Sequence, residues 1–253
     1  MTKQADLTAY LFEGIMLQRF DAALSADMLR WMESSPRYTD FVDIYRDKIR
    51  KKIRVTRDPE SVLDVRSELE VACRLLDDRR FTLVYEPYAS AKRRGPDFAV
   101  TYRANLVFNI EVARLRVEAS GSEGTGDALQ AEREPESARK EDRIFRILLN
   151  KLGQMQSGMG NLLTIHTREE LVRTIDLGKL MQTLKTRAEG KDPAFYAATR
   201  YPNPAAFYKD FHHLSGILLW ASSPEIQLAQ LWVNKQSRPG LDERVARLVA
   251  QLL

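Results

Sequence analysis

Apolar and polar residues alternate with a period of two along 95–116, GPDFAVTYRANLVFNIEVARLR. Phe98, Val100 and Tyr102 share one face of a first arm, and Leu106, Phe108, Ile110 and Val112 share one face of a second. That alternation predicts a hairpin of half-buried strands. A three-residue loop of Arg103, Ala104 and Asn105 sets Tyr102 against Leu106, and the pairing then runs outward until Asp97 faces Glu111. Opposed residues have Cβ atoms ~4.5–5.5 Å apart, and like charges placed so repel. A divalent cation that takes hard oxygen ligands, Mg²⁺ or Mn²⁺, would compensate. On a merely exposed sheet face the carboxylates would instead splay apart or meet arginines.

A period near 3.6 governs much of the remaining chain. Leu11, Ile15, Phe20, Leu24, Met28 and Trp31 recur at helical intervals, predicting one or two helices over 7–31 that Ser34-Ser35-Pro36 interrupts. The next helix, from about 39, ends in a basic run, Lys48, Arg50, Lys51, Lys52 and Arg54. Asp58-Pro59-Glu60 marks another helix start, because Asp caps and Pro fits the first turn. In that helix, reaching about 78, Val65, Leu69, Ala72, Cys73 and Leu76 form the inward stripe; Glu68 lies on its edge and Glu70 points further away.

FTLVYE, 81–86, reads as a strand, followed by a loop carrying Lys92, Arg93 and Arg94. Residues 118–138, rich in Gly, Ser and Glu, predict a mobile loop. A helix follows over 139–155, packing through Ile144, Ile147, Leu148 and Met155, with Lys151 on their side and Gln154 beyond it. Gly153 costs such a helix ~1 kcal/mol relative to Ala and suits a close approach. Strands at 161–166 and 214–221, a helix at 168–184, a looser connection over 185–204 and an amphipathic helix at 242–253 complete the pattern. The order through the hairpin is αβββαβ, an α/β fold with helices flanking a central sheet.

At 253 residues the chain is long enough for one elaborated domain or a domain with an appendage. With 44% apolar and 29% charged residues it reads as a soluble globular protein. Thirty-nine basic against 35 acidic residues leave too small a surplus to indicate a polyanionic partner by itself. The single cysteine, Cys73, rules out an intramolecular disulfide and fits a reducing compartment. The first residues lack signal-peptide order and no apolar run spans a bilayer, so the expectation is a cytoplasmic protein without a membrane partner. No Gly-Lys-Ser/Thr element forms a P-loop, and His166, His212 and His213 lack zinc-site spacing.

The constellation resembles the PD-(D/E)xK, or restriction-endonuclease-like, nuclease superfamily. Pro96-Asp97 matches its PD, Glu111-Val112-Ala113 occupies its (D/E)xK position, and Glu68 sits where many members place a helical acid. Lys151 and Gln154 look like the polar residues on the next helix of some branches. The likeness covers about 61–167. It implies a restriction-endonuclease-like αβββαβ core with a mixed sheet within 58–253, preceded by an N-terminal helical region, 1–57. It also implies phosphodiester hydrolysis assisted by Mg²⁺ or Mn²⁺ held by Asp97, Glu111, Glu68 and the Val112 carbonyl. Near such a core, Lys48, Arg50, Lys51, Lys52, Lys92, Arg93 and Arg94 become candidate phosphate contacts; otherwise they are solvated surface.

One position departs from the family pattern: its lysine is Ala113 here. Arg114 falls on the opposite face of a regular strand, which makes Lys151 the better substitute. Ala113 also suits a nuclease-like module that has lost catalysis and binds nucleic acid or a protein. A protein partner or a second copy of the chain remains open.

Overall fold

The computed structural model of the chain describes residues 2–14, 19–56, 58–88, 95–116, 136–223 and 227–253. Helices α1 (Lys3–Phe12), α2 (Arg19–Ser34), α3 (Pro36–Val55) and α4 (Pro59–Asp77) come first. Strands β1 (Phe81–Tyr85), β2 (Phe98–Tyr102) and β3 (Leu106–Arg114), helix α5 (Glu136–Leu152) and strand β4 (Gly160–His166) follow. The remainder is α6 (Glu169–Thr174), α7 (Leu177–Glu189), α8 (Pro193–Ala197), α9 (Pro204–Phe211), β5 (Gly216–Ser222), β6 (Gln227–Val233) and α10 (Glu243–Leu252).

The six strands lie side by side in sequence order as one mixed sheet. Neighbours are antiparallel except β3 with β4 and β4 with β5, which are parallel. In the hairpin the register runs from Tyr102↔Leu106 to Phe98↔Ile110, as the alternation predicts. Arg103 and Ala104 turn the chain with φ of 49° and 64°. β2 stops pairing at Phe98, whereas β3 continues to Arg114. The edge of β3 beyond Ile110 is therefore open to side chains from elsewhere.

Each face of the sheet buries its own apolar layer. Phe98, Val100, Phe108 and Ile110 pack with Phe41 of α3, Leu69 of α4, Leu11 and Met28 from the first two helices and Val249 of α10. Leu163, Ile165 and Ile217 pack with Ile144 and Leu148 of α5, Leu180 of α7 and Phe207 and Phe211 of α9. Each such side chain contributes roughly 1.5–3 kcal/mol of transfer free energy. The N-terminal helices thus share a core with the sheet, and α3 is brought against the hairpin.

Several local features differ from the sequence expectations. The helix expected over 168–184 is two, because Asp176 caps α7 by accepting the Lys179 N–H at 3.0 Å. Within 185–204, α7 runs on to Glu189 and α8 forms; α9 and β6 were not anticipated. Helix α5 begins at Glu136, inside the loop expected for 118–138, and 118–135 lies outside the described residues, as do the side chains of Ile15 and Phe20. It ends at Leu152 rather than 155, since Gln154 and Met155 donate to Lys151 and Leu152 in tightened i→i+3 turns. The strand expected at 214–221 begins at Gly216, and His212 and His213 lie in the turn after α9. Among the described residues no helix is long and apolar enough to cross a membrane.

Candidate active site

Three carboxylates converge where β2 leaves the edge of β3. Glu111 projects from β3 and is 2% exposed. Asp97, just before β2, takes over a position in the ladder with its side chain: its Oδ2 accepts the Val112 N–H at 2.8 Å. Glu68 reaches the same place from α4, where it is buried at the stripe's edge, as its spacing predicts.

Two ammonium groups approach them from opposite faces of the sheet. Lys52 of α3 places Nζ 2.5 Å from Glu68 Oε2, 3.5 Å from Glu86 Oε1 and 3.8 Å from Asp97 Oδ1. Lys151, in the last turn of α5, is in direct contact with Glu111 Oε1. Tyr85 donates its hydroxyl to Glu68 Oε2 at 3.2 Å. The four carboxylates and two lysines, with Gln154, Tyr88, Gly95 and Pro96, line a cavity of about 460 Å³.

Burial raises all three acids above the ordinary carboxylate range, and mutual repulsion adds to it for two of them. Glu68 is pushed up to about 8 by desolvation and by Asp97, against the pull of Lys52. Glu111 is pushed up to about 7 by the same two causes, against Lys151. Desolvation also raises Asp97, although Lys52, Lys151 and the Val112 N–H oppose it. The carboxylates in turn hold both lysines above their usual value in spite of burial. With Glu86 at the edge, four carboxyl groups share two ammonium groups, so the acids outnumber their cations.

The donor set suits a hard divalent cation. All its ligating atoms are oxygens, and Glu111 Oε2 is buried without a hydrogen-bond partner among the described residues. Glu111's own carbonyl accepts from Thr164 Oγ1 on the β4 side at 3.3 Å. The Val112 carbonyl therefore faces the opened edge, together with its N–H. Glu68, Asp97, Glu111 and the Val112 carbonyl are the groups that would hold such an ion. As placed, each acid is engaged by a lysine or a backbone N–H, and no three His, Cys, Asp or Glu side chains among the described residues form a ready cage.

The basic run on α3 is divided by the helical period. Lys52 enters the cavity, Lys48 Nζ bonds the Tyr85 and Glu86 carbonyls at 3.0 and 3.3 Å, Arg50 pairs with Glu13 at 2.8 Å, and Lys51 is exposed. Lys92, Arg93 and Arg94 lie outside the described residues. Arg114 turns away to α4, where it pairs with Glu60 and with Asp64 at 3.1 Å. Glu70, expected to point away from the core, is instead 4% exposed and held by Arg66, Arg74 and Ser222. Sequence reasoning missed Glu86 and Tyr88 at the cavity and read Lys52 as a phosphate contact rather than a partner of the acids; the signal for its inward place was its position between Ile49 and Ile53, both buried.

Comparisons with protein-family models, curated proteins and solved structures give no match. The functional reading therefore rests on the site.

Proposed function

We propose that the protein is a metal-dependent nuclease that hydrolyses phosphodiester bonds, as the resemblance to the restriction-endonuclease-like nucleases implies. The observation that carries this reading is the convergence of Glu68, Asp97 and Glu111, from three separate elements, with Lys52 and Lys151 on one cavity. Structural ion pairs seldom leave a buried carboxylate oxygen unpartnered, whereas a cation-binding site retains such oxygens. Mg²⁺ or Mn²⁺ held there would lower the pKa of a bound water and neutralise phosphoryl charge.

The chain's own groups have definable roles. The Val112 N–H fixes Asp97, and the Thr164 hydroxyl anchors the Glu111 main chain. Lys151 orients Glu111 and, released toward substrate, stabilises negative charge developing on phosphorus. Lys52 stands on the other side of the acids and supplies a second positive charge. Together they take the place of the lysine that Ala113 lacks.

Ala113 also favours a second reading, a nuclease-like module that binds nucleic acid without cutting it. One experiment separates the two. Purified protein is incubated with labelled single- and double-stranded DNA and RNA in Mg²⁺, Mn²⁺ or EDTA. The nuclease reading requires metal-dependent cleavage that Asp97→Ala and Glu111→Ala abolish; salt-sensitive binding without cleavage supports the module.

A further inference from the structure

Two large side chains, one lining the carboxylate cavity and one an adjoining concavity, are seated on glycines. The Tyr88 ring lies so close to Gly95 that a Cβ there would stand 2.8 Å from its Cβ and Cδ2. Its hydroxyl is 3.4 Å from Met159 Sδ, and the half-buried ring lines the carboxylate cavity. At Gly153 a Cβ would fall 1.9 Å from Nη2 and 2.1 Å from Nη1 of Arg200. The guanidinium thus occupies space that only glycine leaves free at the end of α5.

Arg200 lines an adjoining concavity of about 620 Å³, and Gln154 lines both it and the carboxylate cavity. Arg200 Nη2 bonds the Tyr201 hydroxyl and Asp210 Oδ2, each at 2.9 Å, which fixes the plane of the guanidinium. Its side chain is 48% exposed. The aromatic ring and carboxylate centre of one cavity and the oriented guanidinium of the other therefore lie on either side of Gln154.

We infer that the two cavities form one groove for an unpaired nucleic-acid strand, with Tyr88 stacking a base beside the carboxylate centre and Arg200 holding a neighbouring phosphate. The inference rests on the nuclease reading and names its substrate class. An aromatic side chain stacks on any base, but only where the strand is unpaired and the base can be splayed from its neighbours. A planar guanidinium matches the oxygens of a phosphate. A duplex would keep its bases stacked and out of reach of Tyr88.

The test is fluorescence anisotropy of the full chain in Ca²⁺, with cleavage read separately in Mg²⁺. The probes are labelled single-stranded DNA and RNA, the matching duplexes, and a base-free deoxyribose-phosphate strand. Single strands should bind about tenfold or more tighter than the base-free strand, an advantage lost in Tyr88→Ala and kept in Tyr88→Phe. Arg200→Ala should weaken every strand alike and reduce the slope of log affinity against log salt by about 0.7. Equal binding of the base-free strand, or a duplex bound as tightly as the single strand, overturns the inference. Metal-dependent cleavage untouched by Tyr88→Ala and Arg200→Ala removes this groove and leaves the nuclease reading intact. Tyr88-dependent binding without cleavage does the reverse.

Discussion

Lys52 Nζ lies 2.5 Å from Glu68 Oε2, joining helix α3 to helix α4 inside the carboxylate cavity. The pair is largely shielded from solvent, with 25% of the lysine side chain and 11% of the glutamate side chain exposed. Truncating one partner of such a pair leaves the other charge buried without compensation, a loss of about 3–5 kcal/mol. Lys52→Met should approach that loss in chemical denaturation at about pH 9, above the value of about 8 at which Glu68 ionises. Lys51→Met, one residue away and exposed, should stay within about 0.5 kcal/mol of the parent protein. Equal effects would mean that Lys52 does not hold the acids.

The raised acids make stability depend on pH in a direction opposite to that of salt-bridged surface carboxylates. Between the ordinary value of 4.5 and the folded values of about 8 for Glu68 and about 7 for Glu111, the folded state binds more protons than the unfolded state. Stability then falls as pH rises through that window. Both lysines, raised above 10.5, remain charged throughout and add no slope there. Burial holds His166 neutral down to about 4, so it adds stability as pH rises to its ordinary 6.5, and urea midpoints measured in EDTA should decline most clearly from about pH 6.5 to about pH 8. Mg²⁺, binding the ionised acids, should restore about 2.7 kcal/mol at a hundredfold excess over its Kd. A midpoint that climbs above about pH 6.5 in EDTA would contradict the assignment.

What the sequence disclosed follows the strength of its local rules. Strict alternation and a three-residue loop determined the Phe98↔Ile110 register, and with it the approach of Asp97 to Glu111. Glu68 was legible because it borders a helical stripe. Lys52 was obscured because the run from Lys48 to Arg54 reads as one patch until it is divided by the 3.6-residue period. Glu86 follows β1 with φ of 44°, in irregular chain where no periodicity marks an inward side chain. Asp192-Pro193 and Asn203-Pro204 read as breakers, yet each is a capping residue followed by proline at the first helical position. The same signal was recognised at Asp58-Pro59, where a long apolar stripe supported it.

Ala113 offers a way to test the displaced lysine. It lies two residues beyond Glu111 on the same face of β3 and lines, with Lys151, a neighbouring cavity of about 320 Å³. A lysine side chain introduced there has room to reach the carboxylates. Under the nuclease reading, Lys151→Ala should lower the cleavage rate about a hundredfold or more. Adding Ala113→Lys to that variant should recover about tenfold or more, read in single-turnover assays. Failure of the double variant to improve on Lys151→Ala would place the required charge elsewhere, with Lys52 the next group to remove.

Glu68 and Glu70 lie two residues apart on α4, and their substitutions should have opposite signatures. Glu70 Oε1 accepts from Arg74 Nη2 at 2.9 Å and from Ser222 Oγ at 2.6 Å, while Oε2 accepts from Arg66 Nη1 at 3.0 Å. Its removal strands the Arg74 guanidinium and the Ser222 hydroxyl, while Arg66 keeps Asp27 at 2.7 Å, so Glu70→Ala should cost about 3 kcal/mol. The folded fraction should still cleave, since none of these groups touches the cavity of Glu111. Glu68 has the reverse character, because burial and Asp97 make its ionised form costly at the pH where it would act. Glu68→Gln should therefore flatten the decline of stability with pH and leave the protein near or above parental stability at about pH 8, while cleavage is lost. Denaturation curves at both ends of the pH window, paired with cleavage rates, read the two effects apart. A Glu68→Gln variant that loses stability as Glu70→Ala does and cleaves normally would make Glu68 a structural acid.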